Sequence, residues 1–188
     1  MPRRVLIVGG FGLPGPLYSR LARELDARLA PTGLTIGCGE AEARKVERAL
    51  DRFDEPVALV GHSRGGQLAR VVAARRPESV SKLVTVGTPS GIGPPQRWGV
   101  PIVASAMRRL RVPLALDCAD GDCCVAFRAD LARPVQVPWT AIWSPADRIV
   151  PPSEARHEGA DLVEVKASHV GLVTSEHGRA AIARLVRE

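Results

Sequence analysis

Ser63 stands in the pentapeptide Gly61-His62-Ser63-Arg64-Gly65, where a serine set between two glycines can act as a nucleophile. The apolar run 57–60 leads into this segment, and residues 67–74, with Leu68, Val71 and Val72, lead out of it. That context predicts a buried strand reversing sharply into a helix over about 64–75, with Ser63 at the strained apex. Gly61 and Gly65 keep the apex uncrowded. The amides at the start of the helix then point toward the place where an oxyanion would develop. The bland reading, an ordinary strand–turn–helix containing a structural serine, fits the pentapeptide but not its flanks as well.

A serine hydroxyl is barely ionised at neutral pH and needs a base. The chain has four histidines to supply one. His62 lies inside the turn and is expected to point away from Ser63. His157 sits in an exposed-looking charged segment, and His177 falls where it could cap the last helix. His169, in Lys166-Ala167-Ser168-His169-Val170, follows a predicted strand and is the candidate base. A carboxylate must hold its tautomer and stabilise the imidazolium. Asp147, in Ser144-Pro145-Ala146-Asp147-Arg148, follows the strand Trp139–Trp143 and fits that role better than Asp161 or Glu164, which fall at the start of a strand and within it. The alternative for Asp147 is a turn former. Two backbone donors complete the set: the amide of Arg64, and an amide of the loop Gly9-Gly10-Phe11-Gly12, best matched by Phe11. The Arg64 side chain is expected only to cover the surface.

These residues need a scaffold that gathers loops at one edge. Strands are predicted over 4–8, 32–36, 57–60, 82–86, Trp139–Trp143 and 162–165, and helices over 17–29, 41–52, 64–75, 102–110, Asp122–Leu131 and 178–187. Strand and helix alternate, which predicts an α/β fold with a mostly parallel sheet flanked by helices on both faces. Active residues of such sheets lie beyond the carboxyl ends of the strands. The glycine- and proline-rich stretch inside 88–138 interrupts the rhythm and is expected to cover the substrate and set selectivity. Trp98, Ile102, Met107 and Trp143 are the candidate substrate-binding residues, each equally readable as core.

At 188 residues the chain suits one domain with a sizeable core. Its 45% apolar and 24% charged composition is ordinary for a globular protein, and no stretch approaches a membrane span. Net charge is +6, but the basic residues are scattered and aromatics make up 4%, which argues against nucleic-acid binding. The apolar run after Arg3-Arg4 is short and ends in glycine, reading as a first strand rather than a signal peptide; a cytoplasmic location is expected. Of four cysteines, Cys38 is isolated, while Cys118, Cys123 and Cys124 cluster. A Cys118–Cys123 or Cys118–Cys124 bridge is open; the spacing does not suit zinc, and no metal is expected.

The glycine loop 9–12, the serine pentapeptide, the segment 144–151 and Ser168-His169-Val170-Gly171 together resemble the α/β-hydrolase superfamily. The likeness is strongest to small bacterial lipases and esterases without a large cap domain. It implies a compact α/β-hydrolase domain over 1–188, a Ser63–Asp147–His169 triad, an acyl-enzyme and no cofactor. The expected activity is hydrolysis of a small-molecule carboxylic ester. A thioesterase, an acyltransferase or a cyclising or eliminating biosynthetic enzyme could use the same residues, and a non-catalytic binding protein could share the fold. The loop departs from many relatives in carrying Val8-Gly9-Gly10 without a histidine before the glycines.

Overall fold

The computed structural model describes residues 4–91 and 122–188. The expected helix over 102–110, the candidate contacts Trp98, Ile102 and Met107, and Cys118 lie outside those residues. The strands are β1 (Val5–Val8), β2 (Arg28–Leu29), β3 (Val57–His62), β4 (Val80–Val86), β5 (Trp139–Trp143) and β6 (Asp161–Glu164). They form one sheet in the order β2-β1-β3-β4-β5-β6, with every pairing parallel. The helices are α1 (Ser19–Leu25), α2 (Gly39–Leu50), α3 (Arg64–Arg75), α4 (Asp122–Leu131), α5 (Pro152–Ala155), α6 (Gly171–Thr174) and α7 (Glu176–Arg187).

Side chains alternate across a strand, so a sheet covered on both faces needs apolar residues at consecutive positions. β1 and β3 meet that need and are buried along their whole length. Leu6, Val8 and Leu59 pack with Val46 of α2, Leu68 and Val72 of α3, and Phe127 of α4. On the other face Ile7, Ala58 and Val60 meet Tyr18, Leu21 of α1, Leu172 of α6 and Ile182 of α7. Arg75 fastens the first helical layer from the side. Its guanidinium donates to Glu40 and Glu47 of α2 and to Asp130 of α4, at 2.5, 3.2 and 2.8 Å.

The leucine spacing predicts one helix over 17–29, but the structure divides it. A 3-10 turn at Gly15–Tyr18 leads into α1, which ends where Asp26 turns left-handed at φ 49°. Arg28 and Leu29 then pair with Leu6 and Ile7 as β2. The strand expected over 32–36 is a turn instead. Gly33 and Thr35 take φ values of 64° and 49°, which break an extended pleat.

The β3–α3 reversal is as tight as the sequence implies. Ser63 sits at φ 54°, ψ −127°, a strained conformation for a residue with a side chain. Its N–H donates to the Val86 carbonyl at 2.8 Å. A β-carbon on Gly61 would lie 2.4 Å from the Gly66 Cα, and one on Gly65 would lie 2.3 Å from the Val8 carbonyl oxygen. Both obstacles are backbone and cannot swing aside. Gly65→Ala is therefore expected to cost at least the ~1–3 kcal/mol typical of overpacking. Thermal denaturation would reveal this as a lowered Tm or an insoluble product.

Candidate active site

In an all-parallel sheet the carboxyl ends of the strands share one edge. There the sequence-predicted residues gather: Phe11 beyond β1, Ser63 beyond β3, Asp147 beyond β5 and His169 beyond β6. Glycines allow the loops to touch. A β-carbon on Gly10 would be 3.1 Å from the Ser63 Cβ, so the β1 loop lies directly on the serine. One on Gly87, which follows β4, would be 3.2 Å from Asp147 Oδ2 and 3.3 Å from His169 Nδ1.

Asp147 and His169 form a buried pair, with His169 Nδ1 2.7 Å from Asp147 Oδ2. Asp147 Oδ1 accepts the amides of Ile149 at 2.8 Å and Val150 at 2.9 Å. Burial pushes the Asp147 carboxyl upward. The hydrogen bond and charge of His169 and the two amides outweigh it, so the group stays below its ordinary range and ionised. An ionised Asp147 accepts a hydrogen bond from His169 Nδ1–H, which leaves the Nε2 lone pair to accept a proton. Ser144 locks the two loops together: its hydroxyl donates to the Ala167 carbonyl at 2.6 Å and accepts the Ala167 amide at 3.1 Å.

His62 does more than turn away from Ser63. The Gly10 N–H donates to the Tyr18 hydroxyl at 2.7 Å, the Tyr18 hydroxyl donates to His62 Nδ1 at 2.9 Å, and His62 Nε2–H donates to the His169 carbonyl at 3.1 Å. Only this direction satisfies every donor. Burial, eased a little by the Gly10 amide, raises the Tyr18 phenol to about 12, so it keeps its proton. Burial, with the neighbouring His169 ring, lowers His62 to about 3, so it stays neutral. The His62 and His169 rings lie 4.8 Å apart between centroids. This chain of bonds joins the β1 loop to the backbone of His169. Its sequence signal was slight: a histidine before the serine and a tyrosine in the first helical segment.

Other expectations change. The Arg64 side chain is no surface cover: Nη2 donates to the Gly37 carbonyl at 2.7 Å, and Nε lies 3.5 Å from the buried Glu42 carboxylate. His157 is buried rather than exposed. It packs on Trp139 with ring centroids 5.2 Å apart, and its Nε2 donates to the Thr88 carbonyl at 2.9 Å. Burial and the nearby Arg70 lower it to about 4. Trp143 is half-buried at the end of β5, with the Arg156 guanidinium 5.0 Å above its ring. A cavity of about 810 Å³, lined by Arg70, Trp139, Arg156 and His157 among others, includes none of Ser63, Asp147 and His169 in its wall. The described side chains that could jointly hold a metal ion are Cys38, Cys123 and Cys124.

The two buried neutral histidines set an acid limit. The unfolded chain protonates both near 6.5, the folded chain only near 3 for His62 and near 4 for His157. Stability present above pH 6.5 is thus lost as the pH falls toward 4, by about 1.4 kcal/mol per pH unit for each ring. His62→Leu is expected to lower stability at neutral pH by roughly 1–3 kcal/mol per stranded partner, while making its decline with acid shallower. Urea unfolding between pH 7.5 and 4.5 measures both.

The family model described as alpha/beta hydrolase fold matches residues 43–117. A 2-hydroxymuconate semialdehyde hydrolase of Pseudomonas putida is 34% identical over 115 residues, which cover 52% of this chain and 41% of that protein. The chain thus spans about two fifths of that relative. The monoacylglycerol lipase of Paleococcus ferrophilus superposes with a TM-score of 0.65 at 18% identity, covering 97% of this chain and 93% of the lipase. A thioesterase domain from the curacin biosynthetic pathway gives 0.63 at 19% identity, covering 98% and 90%. No described helix is long and apolar enough to cross a membrane. Its parallel sheet order and these structural likenesses show that the chain has the α/β-hydrolase fold.

Proposed function

We propose that this protein is a serine hydrolase that cleaves a carboxylic ester of a small molecule through an acyl-enzyme. The observation that carries the reading is the buried Asp147–His169 pair, bonded at 2.7 Å at the same sheet edge as a serine forced to φ 54°. In this reading Ser63 Oγ attacks the acyl carbon as its proton passes to His169 Nε2. His169 then delivers that proton to the leaving alkoxide, and the alcohol departs. Water, deprotonated by His169, attacks the acyl-enzyme and releases the carboxylic acid with Ser63 restored. Among the described residues Ser63 Oγ makes no hydrogen bond, so bound substrate would close the Ser63–His169 contact.

The amides of Phe11 and Arg64, neither bonded to another described group, are the assigned oxyanion donors. Arg64 is well held for that duty, since its side chain is anchored to Gly37. Residues 88–138 are assigned to cover the substrate, and Trp143 to contact it. Transfer of the acyl group to a thiol or alcohol in place of water would use the same residues, and product analysis with a competing alcohol separates the two outcomes.

A fluorophosphonate probe with mass mapping tests the reading: one adduct on Ser63, absent from Ser63→Ala. A folded wild-type protein that takes no adduct would refute it. Asp147→Asn should keep the fold but reduce kcat on p-nitrophenyl esters on the order of 10⁴-fold, because the wrong His169 tautomer then faces Ser63.

A further inference from the structure

The spacing of Cys118, Cys123 and Cys124 alone gave no reason to expect a metal, but the fold adds a thiol from far upstream. Cys38 is the N-cap of α2, and Cys123 and Cys124 lie in the first turn of α4. Their three sulfur atoms all lie within 4.8 Å of one another. Zinc–thiolate bonds of ~2.3 Å in tetrahedral array set sulfurs ~3.8 Å apart, so closure needs about an ångström of side-chain adjustment. Contacts apart from the thiols also hold these helix ends together. The ring of Phe127 lies 3.1 Å from where a Gly39 β-carbon would be, and Arg75 ties Glu40 to Asp130.

The donor set is soft, as zinc or another thiophilic ion requires. Two helix N-termini meet there, and their partial positive charge offsets the negative charge of a thiolate set. Cys124 is buried while Cys38 and Cys123 are half-buried, which leaves the thiol cluster within reach of an ion from the surface.

We propose that Cys38, Cys123 and Cys124 form a tris-thiolate site for a zinc ion, which clips the start of α4 to the loop ahead of α2. Each thiol gives its proton to solvent as its sulfur binds the ion, and no electron changes hands. The clip reaches the serine elbow through one neighbour, because the carbonyl of Gly37, next to Cys38, accepts the Arg64 guanidinium at 2.7 Å. Loading should therefore stiffen the segment that holds the Arg64 amide; that consequence rests on the serine hydrolase reading, whereas the site itself does not.

Cobalt titration of the reduced, metal-free full chain tests the site. The expected result is stoichiometric uptake with a thiolate-to-cobalt charge-transfer band, reversed by zinc, and a higher Tm with zinc. Loss of an outer-shell partner typically costs 10–100-fold in metal affinity, so losing a ligand in Cys38→Ser or Cys124→Ser should cost on the order of 100-fold or more. Ser63→Ala should bind cobalt as the wild type does, which separates this proposal from the hydrolase reading. A folded wild type without the band overturns the site, as does a band unchanged in both cysteine variants. Formation of a Cys38–Cys123 or Cys38–Cys124 disulfide with no metal uptake also overturns it, in favour of redox chemistry. Should one serine variant fail to fold, the other and the wild-type titration still decide.

Discussion

The constraint on which the site depends is the close approach of three backbones at the β3–α3 elbow. Gly65 lies against the Val8 carbonyl and Gly61 against Gly66, leaving no room for a side chain at either position. That contact fixes where the β1 loop ends relative to Ser63. The polar groups so trapped must then be satisfied without water, and the Gly10–Tyr18–His62–His169 chain does so. Tyr18 and His62 each donate once and accept once, between an amide that can only donate and a carbonyl that can only accept, so the chain allows a single arrangement. The strain at Ser63 is tolerated because the hydrogen bond to Val86 and the two helical layers hold the backbone from either side.

The two layers have different duties. One, built from α2, α3 and α4, carries the ionic network around Arg75 and the anchored Arg64. The other, built from α1, α6 and α7, carries Tyr18 and the helix that begins just after His169. The site edge lies where both meet the strand ends, and each layer anchors part of it: the first holds the Arg64 side chain, the second Tyr18 beside His62.

Much of this was legible in the sequence because period and position reinforce each other in a parallel sheet. Consecutive apolar residues marked β1, β3 and β5, and Ser63, Asp147 and His169 each followed a strand that could be read. The misreadings arose where local pattern and long-range pairing disagreed. Leu29 continued a helical spacing, yet pairing with Ile7 drew it into β2. Thr35 and Ile36 looked like strand, but positive φ at Gly33 and Thr35 turned the chain. His157 looked exposed because its neighbours are charged; the partners that bury it, Trp139 and Arg70, come from distant strands and helices. The meeting of Cys38 with Cys123 and Cys124 was equally hidden, since no local signal reports that α2 and α4 start side by side.

The sheet's borders have a consequence for life at high concentration. β2 is two residues long, exposed, begins with an arginine and is followed closely by Pro31, while β6 is mostly exposed and carries acidic residues at both ends. A strand from another copy would find at one margin too few backbone groups to pair with, and at the other a charged, partly hydrated row. A parallel sheet rich in valine and leucine is an aggregation hazard wherever its margin is long and apolar. Here both margins are ones on which a foreign strand gains little hold, so the stickiest part of the molecule stays sealed in its middle.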